Sequence, residues 1–173
     1  MTRTRYPKPI AALRELSRKP SFRAAPVRGL DQRATMPTTI RKVEYAYFTV
    51  ANRSGEAARI LEALRDANIN LLAFSGFPQG RAKAQIDLVT DNIDALKATA
   101  KRFKCKLSRT KRAFLAQGTD ELGAALPPMN KLAAAKVNVI AADAVVAGEG
   151  RSGMLFWVAP RDYRRAAKLL EVP

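Results

Sequence analysis

The strongest constraint on the fold of this chain is an internal repeat. Ala67–Leu71 returns as Ala135–Val139, and Gly55 and Gly123 stand at the same offset. The offset holds without a gap for further pairs: Leu64 with Leu132, Ala73 with Ala141, Gly80 with Gly148, and Asp94 with Asp162. A fixed offset over such a length indicates one supersecondary unit present twice. A unit of this size is marginal alone, so the two copies are expected to pack on each other.

The first copy predicts a ferredoxin-like βαββαβ unit, with both helices on one face of an antiparallel sheet. Residues typical of strands and apolar residues at helical spacing divide the copy into elements. Ala84, Ile86 and Leu88 alternate with other residues, which predicts a half-buried third strand. The predicted strands are Val43–Ala51, Ile69–Phe77, Ala84–Thr90 and Lys104–Arg109. The first predicted helix runs from an N-cap at Ser54 to about Ala67, and the second begins at Asp91-Asn92.

The second copy predicts the same order without its last strand, because the chain ends where that strand would stand. Pro127-Pro128 is expected to start or kink the first helix of this copy, since proline lacks the amide donor. Pro160 suits the first turn of the last helix. The predicted strands are Lys111–Gln117, Val137–Ala147 and Gly153–Val158. The fold class is therefore α+β, with two tandem repeats over residues 43–110 and 111–173.

Residues 1–42 form a basic tail rich in proline and arginine. They carry 11 Lys and Arg against two acids, in a chain with 31 basic residues, 15 acidic residues and a net charge of +16. Such a segment buries too little apolar surface to offset its ordering entropy, so we expect disorder. Its roles stay open between a solvated tail, a tether for nucleic acid, a transit peptide, and untranslated sequence before a start at Met36.

Missing residue types exclude several chemistries. The chain has no histidine and one cysteine, Cys105. His-based triads, zinc clusters and intrachain disulfides are therefore excluded, and a cytoplasmic location is expected. No apolar run is long enough to span a membrane, so no membrane partner is expected. Cys105 is predicted to be a buried thiol and Trp157 a core residue, and we expect no catalysis, cofactor or metal.

Each copy has a glycine-bearing turn between its first strand and first helix. These turns are Asn52–Gly55 and Gly118–Gly123. Backbone N–H groups at a helix start attract a carboxylate, and glycine allows close approach. Asn70 and Asn138 stand at matching positions where the second strand begins, and an amide can bind both an ammonium and a carboxylate. In the alternative interpretation, the glycines only shape the turns and the asparagines only end the helices.

These residues resemble a tandem ACT-domain protein over residues 43–172. The resemblance rests on the βαββαβ order, on residues 52–61 and 67–71, and on their counterparts 119–126 and 135–139. It implies a regulatory, allosteric fold that binds an amino acid or a related metabolite where two domains meet. It also implies a regulated enzyme as partner, and we expect a second copy to associate through sheet or helix faces. The implied ligand-binding residues are Asn52, Arg53, Ser54, Gly55, Asn70, Thr119, Asp120, Gly123 and Asn138. The family often has Asp-Arg-Pro-Gly at the turn, whereas this chain has Asn52-Arg53-Ser54-Gly55 in the first copy and lacks both Arg and Pro in the second.

The rival interpretation is a nucleic-acid-binding protein. The RNA-recognition motif shares this strand order and stacks bases on aromatic residues of its first and third strands. The first strand offers Tyr45, Tyr47 and Phe48, whereas the third offers no aromatic residue. Residues 97–112 hold eight Lys and Arg and no acid, which indicates either a solvated face or a phosphate-binding stripe.

Overall fold

The computed structural model describes residues 38–103 and 106–173, which lie within one compact unit, Thr35–Pro173. The predicted tail up to residue 37, the Met36 start and Cys105 lie outside the described residues. The described part contains six strands and four helices: β1 (Thr39–Ala51), α1 (Glu56–Asp66), β2 (Ala73–Gln79), β3 (Lys83–Val89), α2 (Ile93–Arg102), β4 (Lys111–Thr119), α3 (Leu126–Ala134), β5 (Val139–Gly148), β6 (Arg151–Val158) and α4 (Tyr163–Leu169).

All six strands form one antiparallel sheet in the order β2-β3-β1-β4-β6-β5. The helices of the first copy pack on Ala46 and Phe48 of β1. The helices of the second copy pack on Phe114 and Ala116 of β4, where Ala116 pairs with Ile40. Since Ile40, Ala46 and Phe48 are separated by even numbers of residues, they share one face of β1. The predicted α+β repeat with helices on one face is thus confirmed.

The two copies are related by a pseudo-twofold axis between β1 and β4. Glu44 lies opposite Arg112, and these two residues are also equivalent in the repeat. The neighbouring pairs, Val43 with Ala113 and Tyr45 with Lys111, exchange under the same operation. β1 and β4 therefore run antiparallel through the centre of the molecule, and equivalent features of the two copies lie at opposite ends of the sheet.

The place of the missing last strand of the second copy is taken by residues 39–42, the first residues of β1. In the first copy, the described part of the predicted strand Lys104–Arg109 forms only an isolated bridge, between Leu107 and Phe48. The amide of Ser108 also donates to the carbonyl of Tyr47 at 2.9 Å. In the second copy, the equivalent place beside β4 is taken by residues 39–42. The predicted strand start at Val43 is therefore wrong. Local sequence could not show residues 39–42 as a strand because their pairing partners in β4 lie far along the chain.

Helix ends also differ from the prediction. Gly55, with φ 90°, is the N-cap of α1 in place of the predicted Ser54. Asn92 caps α2 as predicted, accepting from the amide of Ala95 at 3.0 Å. The proline pair lies in the first turn of α3, which confirms the predicted helix start. The second strand begins at Ala73 instead of Ile69, because the amide of Ile69 still donates to the α1 carbonyl of Leu64.

The helix-free face of the sheet carries a third core cluster. Val43, Tyr45, Val89, Ala113, Leu115, Leu155 and Trp157 are buried there. The predicted core position of Trp157 is confirmed. β3 is buried on both faces, contrary to the half-buried prediction, because Asp87 and Val89 are covered as fully as Ile86 and Leu88.

The Ser75 hydroxyl of β2 donates to the Asp143 carboxylate of β5. Since β2 and β5 are opposite edges, the sheet curls around its helix-free face.

Candidate ligand-binding site

Two cavities lie at equivalent positions of the two copies, on the helix face where β1 and β4 end. The first-copy cavity has a volume of about 430 Å³ and is lined by Phe48, Thr49, Val50, Ala51, Arg53, Glu56, Arg59, Ile60 and Lys106. The second-copy cavity, of about 280 Å³, includes Thr38, Ala116, Gln117, Gly118, Asp120, Glu121, Gly123 and Ala124 in its lining. Thr38 and Lys106 are themselves equivalent in the repeat. Thr38 precedes the residues that pair with β4, and Lys106 precedes Leu107, which pairs with Phe48 of β1.

The turn beside the first-copy cavity is held by its backbone. The amide of Asn52 donates to the carbonyl of Ala82 at 3.0 Å, and its side chain donates to the carbonyl of Arg81 at 3.5 Å. Gly55 has a left-handed conformation that glycine adopts without strain. Of the four predicted turn residues, Arg53 alone lines the cavity. The others shape the turn that positions Arg53.

The first-copy cavity combines one carboxylate with three cationic side chains. Glu56 accepts from Nε of Arg53 at 3.1 Å and from Nη2 of Arg59 at 3.3 Å, and its side chain is 16% exposed. The hydrogen bond from Arg53, followed by that from Arg59, lowers the pKa of Glu56. Lys106 supplies the third cation. This arrangement offers a cationic surface to a carboxylate and, beside it, an ionised carboxylate to an ammonium group.

The equivalent turn in the second copy has the same backbone but different side chains. Gly123 has φ 79°, matching Gly55. The amide of Asp120 donates to the carbonyl of Gly150 at 2.8 Å, and the Ser152 hydroxyl donates to the carbonyl of Thr119 at 3.1 Å. Asp120 and Gly123 line the cavity, whereas Thr119 is not among its lining residues. The predicted residues of this turn are therefore brought together.

Asn70 and Asn138 line neither cavity. The carbonyl of Asn70 accepts from the Thr90 hydroxyl at 3.0 Å, beside the end of β3, whereas β1 reaches its turn beside the start of β3. With about 3.3 Å per residue, the length of β3 separates Asn70 from that turn by roughly 20 Å. The repeated motif instead ends each first helix. Asn68 and Lys136 have left-handed φ values of 54° and 57°, typical of a helix C-terminus.

The sequence prediction missed four charged residues of the two cavities. Glu56, Arg59 and Lys106 line the first-copy cavity and Glu121 lines the second. The spacing of Arg53, Glu56 and Arg59 was a readable signal, because residues three apart face each other on a helix. The place of Lys106 in the first-copy cavity depends on the pairing of Leu107 with Phe48, which no local pattern in the sequence shows.

The basic run 97–112 is divided between different surfaces. Lys97 pairs with Asp94 at 3.0 Å on α2. Lys111 lies 4.7 Å from the ring of Tyr47, and Arg112 lies 4.5 Å from the ring of Tyr163. These two are neighbours in β4, so they point to opposite faces of the sheet. Among the aromatics of the first strand, Tyr45 and Phe48 are buried. The nucleic-acid interpretation stays a prediction.

Two further features of the described ranges concern metals and membranes. In 38–103 and 106–173, no three Cys, Asp or Glu side chains are grouped as metal ligands would be. No helix in the same ranges is long and apolar enough to cross a membrane.

With two copies in one sheet and a cavity at each turn, the chain has the tandem ACT-like fold that the resemblance implied. Protein BT0572 from Bacteroides thetaiotaomicron is similar, with a TM-score of 0.63 at 17% identity over 76% of this chain and 88% of that one. The ligand-free regulatory subunit of aspartate kinase from Thermus thermophilus has a TM-score of 0.52 at 12% identity over 80% of this chain and 95% of that one. Escherichia coli aspartokinase III in complex with lysine and aspartate has a TM-score of 0.50 at 14% identity over 81% of this chain and 34% of that one. No protein-family profile and no curated protein matches the sequence.

Proposed function

We propose that this chain is a non-catalytic, cytoplasmic regulatory module that binds an amino acid or a similar zwitterionic metabolite in the first-copy cavity. The observation that carries the proposal is the ionised Glu56 held between Arg53 and Arg59 beside Lys106. A zwitterion needs one anionic and one cationic partner a few ångströms apart, and this cavity offers both. The regulated enzyme is then a separate protein.

The fold supports a regulatory role. One structural neighbour is a regulatory subunit of aspartate kinase, and another neighbour was solved with lysine and aspartate. A ligand carboxylate would bind Arg53 and Lys106 at the mouth of the cavity, and its ammonium group would bind Glu56. Phe48, Val50 and Ile60 supply an apolar surface for the ligand side chain. Because exposed ion pairs contribute little each, we expect a dissociation constant on the order of 0.1–1 mM.

The test is a titration of the full chain with each of the common amino acids, followed by calorimetry and thermal unfolding. We expect one group of amino acids to bind and to raise the unfolding temperature, since a ligand that binds only the folded state stabilises it. If none of the amino acids binds, the proposal is refuted.

The variant Arg53→Ala locates the site. We expect it to weaken binding of the active amino acid roughly two- to fivefold, because one exposed partner of the ligand carboxylate is lost. Arg65→Ala is the matched control, since Arg65 is an exposed arginine of α1 that pairs with Glu62 and lies outside the cavity lining. Equal weakening in both variants would contradict a site at Arg53. A parallel loss of unfolding temperature without ligand would show a structural role for Arg53 instead.

A further inference from the structure

We infer that the second-copy cavity binds an organic cation: a primary amine or guanidinium group attached to an apolar body. This inference rests on the proposed function in one respect, namely that the glycine-bearing turns are ligand sites. It concerns the other cavity and a ligand that carries a cationic group without a carboxylate.

The first argument is an inversion of charge between equivalent positions. Arg53 corresponds to Glu121, and Asn52 corresponds to Asp120. The other charged positions of the first-copy cavity become uncharged: Glu56 corresponds to Ala124, Arg59 to Pro127 and Lys106 to Thr38. Among its described lining residues, the second-copy cavity has two carboxylates and no lysine or arginine. In a chain of net charge +16, this local excess of negative charge attracts a cation and repels a carboxylate.

The second argument comes from the backbone of the turn. An anion would need free amide donors at the helix start, and three of these are already used. The amide of Asp120 donates to Gly150, that of Ala124 donates to the carbonyl of Glu121 at 3.0 Å, and that of Leu126 donates to the carbonyl of Gly123 at 2.8 Å. The turn therefore offers carboxylate oxygens to a ligand, and several of its backbone N–H groups are already hydrogen-bonded.

The third argument is the apolar surface inside and around the cavity. Its lining includes Ala116, Ala144 and Met154, the last two paired across β5 and β6. Large apolar side chains stand exposed on the turn, on α3 and on β5: Leu122 at 92%, Val145 at 65%, Val146 at 59% and Leu126 at 58%. In the first copy, the positions equivalent to Leu122 and Leu126 hold the small residues Ser54 and Ala58. The volume of about 280 Å³ suits a small ligand whose apolar body contacts this lining.

The test uses n-hexylammonium as probe, with hexanoate and hexanol as the charge-reversed and neutral compounds of the same length. Binding to the full chain at low salt is measured by NMR titration. We expect hexylammonium to bind more tightly than both other compounds, and its shifts to cluster at the second-copy cavity. Absence of binding, or hexanoate binding as tightly, would overturn the inference.

The double variant Asp120→Asn with Glu121→Gln removes both carboxylates. We expect it to weaken hexylammonium binding roughly tenfold, because two exposed charge contacts are lost. The matched control, Asp162→Asn with Glu171→Gln, changes net charge equally in the same copy but outside the cavity lining. Equal weakening in the control would reduce the effect to net charge and overturn the inference.

The two proposals fail separately. If amino acids bind in an Arg53-dependent way while hexylammonium does not bind, only the cation site is refuted. If hexylammonium binding depends on Asp120 and Glu121 while no amino acid binds, only the proposed function is refuted.

Discussion

Gly118 of β4 lies against Thr38, just before β1, and it has little room for a side chain. A Cβ atom at Gly118 would lie 2.8 Å from Oγ1 of Thr38 and 3.0 Å from its Cα. The second contact is with backbone, so the main chain beside Thr39 must move. Thr39 pairs with Gln117 at the start of the borrowed strand of the second copy. Gly118→Ala therefore tests that strand directly.

The expected change in the free energy of unfolding is the sum of two opposing effects. Overpacking that shifts the backbone costs about 1–3 kcal/mol. Replacing glycine with alanine restricts the unfolded chain and returns about 0.4–1 kcal/mol. We expect Gly118→Ala to lower the free energy of unfolding by about 1–2 kcal/mol. Gly76→Ala in β2 is the control, because a Cβ there meets nothing within 4 Å. Gly76→Ala therefore restricts the unfolded chain without overpacking the folded state.

The assay is urea unfolding of both variants and the wild type, followed by circular dichroism. With slopes of about 1–3 kcal/mol per molar, Gly118→Ala should lower the midpoint by roughly 0.3–2 M. Gly76→Ala should leave the midpoint unchanged or raise it slightly. If the two variants unfold at the same urea concentration, residues 38–42 do not pack on β4 as described, and the shared-strand fold is wrong.

Three further outcomes are expected. Burial holds the pKa of Asp87 above its usual value, although Gln85 and Lys111 act to lower it. The folded state therefore binds the proton more tightly than the unfolded state does. As a result, the free energy of unfolding falls as the pH rises through the raised pKa. Asp87→Asn should therefore gain stability relative to the wild type as the pH rises above about 4, the ordinary pKa of an aspartate, and a constant difference would contradict this. Burial also raises the pKa of Tyr45 to about 12, so the wild type should lose stability between pH 10 and pH 12, and Tyr45→Phe should lose less; equal losses in alkaline urea titrations would count against a buried phenol. Cysteines replacing Ser75 and Asp143, in a background without Cys105, should form a disulfide on mild oxidation because these edge residues touch; persistent free thiols would mean that the sheet does not curl.

Local sequence determined the elements of this fold and their order. The helix start at Pro127-Pro128, the cap at Asn92 and the two glycine turns were readable because each depends on residues within a few positions of one another. The repeat was readable by comparing the sequence with itself. The charge difference between the two cavities was also present in the sequence, since Arg53 and Glu121 stand at equivalent positions.

Tertiary structure alone decided how the copies combine. Strand pairing unites them in one sheet, gives residues 39–42 to the second copy, and brings Lys106 and Thr38 to the two cavities. It also curls the sheet until Ser75 meets Asp143. These contacts join residues dozens of positions apart, and their free energy comes from pairing and burial that neither segment encodes by its own periodicity. The helices and most of the strands were therefore predictable from sequence, whereas the set of residues that lines each cavity depended on strand pairing.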